Sequence, residues 1–367
     1  ERHLLTLTLL DNDGTLVTFR PTGDATGIVT LTPNGFDIKI EGGSDNTNVN
    51  ITARGGDGKA AINNVIVNQT IKSFKASKSI VHGDVTFLGS VDRLYLDDVD
   101  ADHEIRIGAP DEPGDTVSIV GGKWRETSLF SQTPVKSLRL TEWVDEDGEA
   151  DVFQTPWAGS VRTTGDRDCE GHFDPSMIFS GVGADRETLT LLYVRGDARG
   201  ADSTITGDVG RVDIKGTAVD WNLTINSELG SFKATDADGV NITVDGPVKK
   251  ADVDNWLNGG LTAERLDRFS VDENVDITLR LTGPADSRGE TLGSTRIKGQ
   301  AAGKWIVEQG GASTLSFGSL AEGFSATIAG EAGNLTVKDD ANGAVATAAA
   351  FGNVRFDGNV IDTDGCS

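Results

Sequence analysis

Cysteine, methionine and proline are all scarce in this chain: of 367 residues, 2 are Cys, 1 is Met and 9 are Pro. Two cysteines, Cys169 and Cys366, cannot build a disulfide framework, so the fold must hold without staples. Cys366, next to last, is placed to link a neighbouring copy; otherwise both thiols stay free. Aromatic residues make up only 6%, which predicts a narrow interior filled by Val, Ile, Leu and Ala rather than by large rings. No apolar run approaches the roughly 20 residues of a membrane helix, so membrane insertion is not expected. No signal segment is evident, and an opening at Glu1 without Met fits a processed, mature chain. Cationic side chains are also short, with 33 Lys and Arg against 57 Asp and Glu, a net charge of −24. Such a field repels nucleic acid and anionic membranes.

What the chain does have is glycine, in 46 copies. The lack of a strict G-X-Y period and of proline excludes collagen. Helical periodicity is almost absent, and short alternating stretches separated by Gly, Asp and Asn turns run throughout. They form an internal repeat. Its first part is an apolar residue, two spacers, a second apolar residue, one spacer and a third small or apolar residue. It reads Ile71-Phe74-Ala76, Val91-Leu94-Leu96, Val135-Leu138-Leu140, Leu189-Leu192-Val194, Val209-Val212-Ile214, Leu229-Phe232-Ala234, Val248-Ala251-Val253, Leu266-Phe269-Val271, Ala332-Leu335-Val337 and Phe351-Val354-Phe356. Ala158-Val161-Thr163 and Leu292-Thr295-Ile297 are weaker copies. The best-kept steps, Val209 to Leu229 to Val248 to Leu266, are 20, 19 and 18 residues. A second, alternating pair follows each start, as Val85 and Phe87 follow Ile71 and Ile105 and Ile107 follow Val91.

Two alternating segments in every ~19 residues describe a coil of a β-solenoid, each strand pairing with its equivalent ~4.8 Å away in the next coil. The predicted fold is all-β, a right-handed parallel β-helix. Residues 1–50 read as a β cap with irregular first coils, 51–358 as the solenoid, and 359–367 as a tail. Phe74, Leu94, Leu138, Leu192, Val212, Phe232, Phe269, Leu335 and Val354 are expected in one internal ladder. The step of 44 from Val91 to Val135 equals two slightly long coils. The step of 31 from Ala158 to Leu189 implies an excursion near 166–183 that holds Cys169, His172 and Met177.

Stretches such as IKSFKASKSIVHGDVTFLGSVDRLYL (71–96), PVKSLRLTEWVD (134–145) and GDVGRVDIKGTAVDWNLTINSELGSFKA (207–234) resemble the glycine-rich β-helical repeats of very large surface proteins of planctomycete-type bacteria. The resemblance covers residues from about 50 to 358. It implies a secreted or surface-attached chain with a structural or adhesive role, and brings no catalytic residues. The coil also resembles that of bactofilins, smaller polymerising β-helical proteins with disordered tails, which this chain lacks.

Asp-x-Asp-Gly occurs four times, at Asp11/Asp13, Asp145/Asp147, Asp236/Asp238 and Asp362/Asp364. Paired carboxylates with a turn glycine are how calcium loops begin, since Ca²⁺ takes several hard oxygens on a tight turn. None continues into an EF-hand; the bland alternative is an Asx turn at a coil corner. The fullest copy, Asp145, Asp147, Glu149 and Asp151, is the candidate metal set, with calcium as the candidate ion and the Asx turn as the favoured reading. The four histidines, His3, His82, His103 and His172, lack metal-ligand spacing. A G-x-S-x-G nucleophile motif is absent. Trp143 and Trp256 occupy equivalent positions eight residues after the coil starts Val135 and Val248. They either pack over a corner or present rings to a glycan. Asn50, Asn68, Asn222, Asn241 and Asn334 have the form of glycosylation acceptors, a form that Asn and Thr flanking an inward Leu or Ile produce by chance.

The expected function is a non-catalytic structural protein of the extracellular surface that self-assembles head to tail. Solenoid ends expose strand edges that must be capped or paired, and Leu4–Leu10 offers an alternating strand for this. The expected partners are therefore other copies of the chain, with surface glycans as the alternative. The competing readings are an adhesin or carbohydrate-binding stalk and, less favoured, a polysaccharide-degrading β-helix enzyme, which rests on fold analogy alone.

Overall fold

The computed structural model describes residues 6–100, 102–183 and 186–361, and among them every regular element is a strand. The chain divides into two compact units: Glu1–Thr188 with Tyr193–Gly196, and Leu189–Leu192 with Asp197–Ser367. Each is a stack of parallel β-coils.

The first unit opens with antiparallel pairs. Leu7–Leu10 pairs with Leu16–Thr22, which pairs with Asn48–Arg54; Thr26–Thr32 pairs with Gly35–Glu41. These hairpins lie along the edges of the first parallel strands, blunting them as edge protection requires. Parallel stacking begins with Gly35–Glu41 on Ala60–Val67, inside the stretch expected as cap. From there the repeat sets the register: Phe74 lies beside Leu94, Leu94 beside Ile119, Ile119 beside Leu138 and Leu138 beside Val161. The second ladder runs Val85, Ile105, Leu129, Phe153, Met177. The step from Val91 to Val135 is thus one long coil and one ordinary coil, since Leu94 to Ile119 is 25 residues and Ile119 to Leu138 is 19. The excursion is narrower than 166–183, because Ser176–Phe179 is a coil strand paired with Val152–Thr155.

In the second unit Phe232 lies beside Val212 and Ala251, and the ladder continues through Phe269, Thr295, Leu315, Leu335 and Val354. A second ladder stacks Leu223, Ile242, Leu261, Leu279 and Trp305, and a third stacks Ala218, Ala237, Trp256, Val275 and Ala301. Between coils, side-chain amides form outward ladders. Asn222 donates to Asp202 (2.7 Å), and Asn241 donates to Asn222 (3.0 Å). Glycine also allows coils to approach closely: a Cβ on Gly293 would stand 2.0 Å from the Asp267 carbonyl oxygen of the coil before it.

Two expectations about the interior are corrected. Large rings do fill it: five of the six tryptophans (Trp124, Trp143, Trp221, Trp256, Trp305) are buried. Trp143, Trp256 and Trp305 stack with phenylalanines, as in Trp143–Phe153 at 5.7 Å, Phe232–Trp256 at 5.6 Å and Phe269–Trp305 at 5.8 Å. Few aromatics suffice because 16 of the 22 are buried, where each hides a large apolar area. The ladder residues Phe74 through Leu335 are buried, but Val354 is 47% exposed, because no described strand covers the inward face of Val345–Phe356.

Candidate metal centre

The strand Glu142–Val144 pairs with Lys123–Arg125 of the preceding coil, in the register Arg125 beside Val144. Glu126 therefore falls next to Asp145. Its backbone takes a left-handed turn (φ 42°), and its N–H donates to the Val144 carbonyl at 3.1 Å. Beyond Val144 the chain makes the turn Asp145-Glu146-Asp147-Gly148, with Gly148 at φ 83°, a conformation that costs glycine little. The N–H of Gly148 donates to Asp145 Oδ1 (2.8 Å), and the N–H of Glu149 donates to Asp147 Oδ1 (2.7 Å). These are the Asx bonds of the bland reading. The turn is also tied to the coil below, because the N–H groups of Glu146 and Asp147 donate to Glu126 Oε1, the latter at 3.1 Å. On the other side, Asp174 Oδ2 accepts the Asp145 N–H at 3.4 Å.

One carboxylate oxygen from each of Glu126, Asp145 and Asp147 lies within 4.8 Å of the others, so the three could hold a metal ion. Glu126 is buried, Asp145 half-buried and Asp147 exposed. Asp151, at the far end of the turn, is 6% exposed. Its carboxylate accepts a bond from the Thr127 backbone, while Oδ2 has no hydrogen-bond partner. Burial pushes the Asp151 pKa up to about 7; the Thr127 bond opposes the rise, and the charges of Glu126, Asp145 and Asp147 add to it. Burial likewise raises the pKa of Glu126, against the Glu146 N–H and with the charges of Asp147 and Asp145. Arg125 is turned to Glu146, at 3.6 Å.

Of the expected set Asp145, Asp147, Glu149 and Asp151, the structure brings the first two together, and the buried Asp151 lies outside their group but near enough to feel its charge. Glu149 is exposed and outside the group, because alternation in sequence does not survive a tight turn. Glu126 was not anticipated. The signal that finds it is the repeat itself, since it stands 19 residues, one coil, before Asp145.

The other expected sites resolve differently. Asp11 and Asp13 close a hairpin turn, where Thr15 N–H donates to both carboxylates at 2.8 Å. Asp362 and Asp364 lie outside the described residues, as does Cys366. Cys169 is half-buried, and burial, with Glu142 and Asp166 adjacent, pushes its thiol up to about 12, far from a reactive thiolate. His82, His103 and His172 each face a different carboxylate, Asp100, Asp84 and Glu170. Trp143 and Trp256 are buried, so their rings pack rather than face a glycan. No known protein family, curated protein or solved structure matches this chain.

Proposed function

We propose that this chain is a non-catalytic structural segment of a secreted or cell-surface protein, and that it associates end to end with other copies of itself. One observation carries the reading. The inward face of the Val345–Phe356 coil is open, with Val354 at 47% and Val360 at 66% exposure, while the equivalent Leu335 one coil before is at 6%. Phe351, Val354, Phe356, Val360 and Ile361 join Leu320 and Leu335 around an open apolar hollow of about 560 Å³. A face built to sit under another coil, beside a strand edge that no described strand pairs, is a template for strand addition. The occupant we assign is the Leu7–Leu10 hairpin of a second copy, whose Leu7 and Leu10 are themselves exposed. Contacts of this heterologous kind propagate rather than close. The likeness to surface-protein repeats supports the same role and location.

Negative-stain microscopy and sedimentation of the full chain over a rising concentration series test it. Linear species should appear and should be abolished by Val354→Asp with β-rich circular dichroism unchanged. A wild-type chain that stays monomeric throughout, or a Val354→Asp chain that still polymerises, overturns the reading.

A further inference from the structure

We propose that one outward sheet face of the first unit, built by the stretches 71–76, 91–96, 117–120, 135–140 and 158–163, binds a linear polysaccharide that carries carboxylates, a polyuronate. The proposal does not rest on self-association, and the Val354→Asp chain should bind as wild type does.

The register builds two outward columns side by side. In one, Lys75 lies beside Tyr95, Tyr95 beside Val120, Val120 beside Arg139 and Arg139 beside Arg162. In the other, Ser73 lies beside Arg93, Arg93 beside Ser118, Ser118 beside Ser137 and Ser137 beside Ser160. Lys72 and Lys136 stand on the same strands, so Lys72, Lys75, Arg93, Lys136, Arg139 and Arg162 are all exposed on one face. The only acid in these stretches is Asp92, at the edge where its strand begins, near Asp45 and Asp115.

Among the described residues, none of the six cations stands in a salt bridge. Arg162 Nε donates to the Ser160 hydroxyl at 2.9 Å, and Lys75 Nζ lies 5.8 Å from the centre of the Tyr95 ring. The second unit treats the same position differently. There Asp213 lies beside Lys233 and Lys233 beside Asp252. Arg211 and Lys215 pair with Asp213 at 2.5 and 3.0 Å, and Lys250 pairs with Asp252 at 2.8 Å. In a chain with 57 acids against 33 cations, a face whose cations find no acid runs against what composition alone would give.

The chemistry of the face selects the ligand. Arginine forks match carboxylates bidentately, and lysines meet them as point charges. The serine column can donate to and accept from sugar hydroxyls. Tyr95, half-buried between Lys75 and Val120, offers a ring to the apolar side of a sugar. These groups repeat along the stack in steps of about 4.8 Å, which suits a polymer laid along the columns rather than one small anion. Duplex nucleic acid, with a charge every ~1.7 Å, is repelled by the net charge of −24. Single strands favour successive aromatic platforms, whereas this face has one ring among serines.

The test is isothermal titration calorimetry of the full chain with oligogalacturonate, and with its methyl ester of the same length as the uncharged control. Wild type should bind the acid and not the ester, and raising NaCl from about 50 to about 200 mM should weaken binding tenfold or more. Lys75→Gln, Arg139→Gln and Arg162→Gln combined should weaken it at least about tenfold, and Tyr95→Ala about threefold or more. Arg211→Gln, Lys250→Gln and Lys298→Gln combined remove the same charge from the second unit and should change it less than about twofold. Circular dichroism checks that each variant folds. The proposal is overturned if wild type binds no oligogalacturonate at low salt, if the ester binds as well as the acid, or if both triple variants lose equally, which marks net charge rather than a face. Single-stranded DNA of equal charge bound as tightly would also overturn it. Loss of self-association in the Lys75→Gln, Arg139→Gln, Arg162→Gln chain would assign the face to a second copy instead.

Discussion

In the first unit Asp145 and Asp147 stand in a turn beside the carboxylate of Glu126, whereas in the second Asp236 and Asp238 finish a strand and meet amides. Asn255 Nδ2 donates to Asp236 Oδ1 at 2.9 Å, and Asn258 Nδ2 donates to Asp238 Oδ1 at 2.8 Å. The sequence motif is the same in both places. The difference lies one coil away, in a carboxylate on one side and asparagines on the other. In a solenoid the chemistry of a corner is therefore set by residues a full repeat apart, which stack on it. A bare buried oxygen stands among other acids at the corner, as at Asp151, and among apolar side chains on an inward ladder, as at Thr295.

The harshest way to break this comparison is to put a carboxylate on the inward ladder of the second unit. Phe232 lies between Val212 and Ala251 and is fully buried. Phe232→Asp should cost about 4 kcal/mol or more, since it removes a large ring and buries a charge with no partner. Urea unfolding followed by tryptophan fluorescence measures it, and a loss under about 1 kcal/mol would mean the ladder tolerates charge as a corner does.

The first unit's corner has its own signature in pH. Asp151 has a pKa of about 7 in the folded chain against 3.8 ordinarily, so between these values the folded state holds a proton that the unfolded state releases. The contribution of Asp151 to stability should therefore be greatest below about pH 4, fall as pH rises toward 7, and level off above. Wild-type urea midpoints should fall relative to those of Asp151→Asn across that range, and Asp151→Asn should be the more stable chain at pH 8; parallel slopes in both would assign the effect elsewhere.

A smaller change tests whether the second unit's corner is held by its amides. Asn255 Nδ2 donates to Glu273 Oε2 as well as to Asp236, at 2.9 Å each. Asn255→Asp would set three carboxylates together with no donor among them. The site is half-buried, so screening limits the cost to about 1–2 kcal/mol, and added salt should recover part of it. A neutral outcome at low salt would show that the amide ladder is decorative.

How far the sequence reveals these two regions depends on which signal carries them. The inward ladders were legible because apolar residues at fixed spacing mark a buried face, as with Phe74 and Leu94 or Phe232 and Ala251. The coil at Val117 was not, because a bulge between Val117 and Ser118 shortens the spacing from Val117 to the inward Ile119 to two residues. The coil at Ala312-Leu315-Phe317 keeps the spacing, but its small first residue sits among Gly and Ser and gives little contrast. Missing Val117 also hid Glu126, since its place in the coil cannot be read without a start to count from. Val354 shows the converse limit: periodicity says which face is inward, not whether another layer covers it.

The subtlest test lies on the second unit's inward ladder itself, at Thr295. It stands between Phe269 and Leu315, is 1% exposed, and its hydroxyl oxygen has no hydrogen-bond partner. It differs from Asp151 in being neutral and in facing apolar side chains, so its cost does not change with pH. A hydroxyl buried without a partner loses its bonds to water and gains none. Valine has nearly the same shape, keeps the branched Cβ that suits a strand, and carries a methyl where the hydroxyl stood. Thr295→Val should therefore stabilise the chain by about 1 kcal/mol, a rise in Tm of a few degrees at most. The gain should be the same at pH 4 and pH 8, whereas Asp151→Asn should help at pH 8 and not below about pH 4. Differential scanning calorimetry of both variants under both conditions separates the two kinds of bare oxygen. If Thr295→Val destabilises, the hydroxyl has a partner after all, and the contrast between ladder and corner loses its second-unit half.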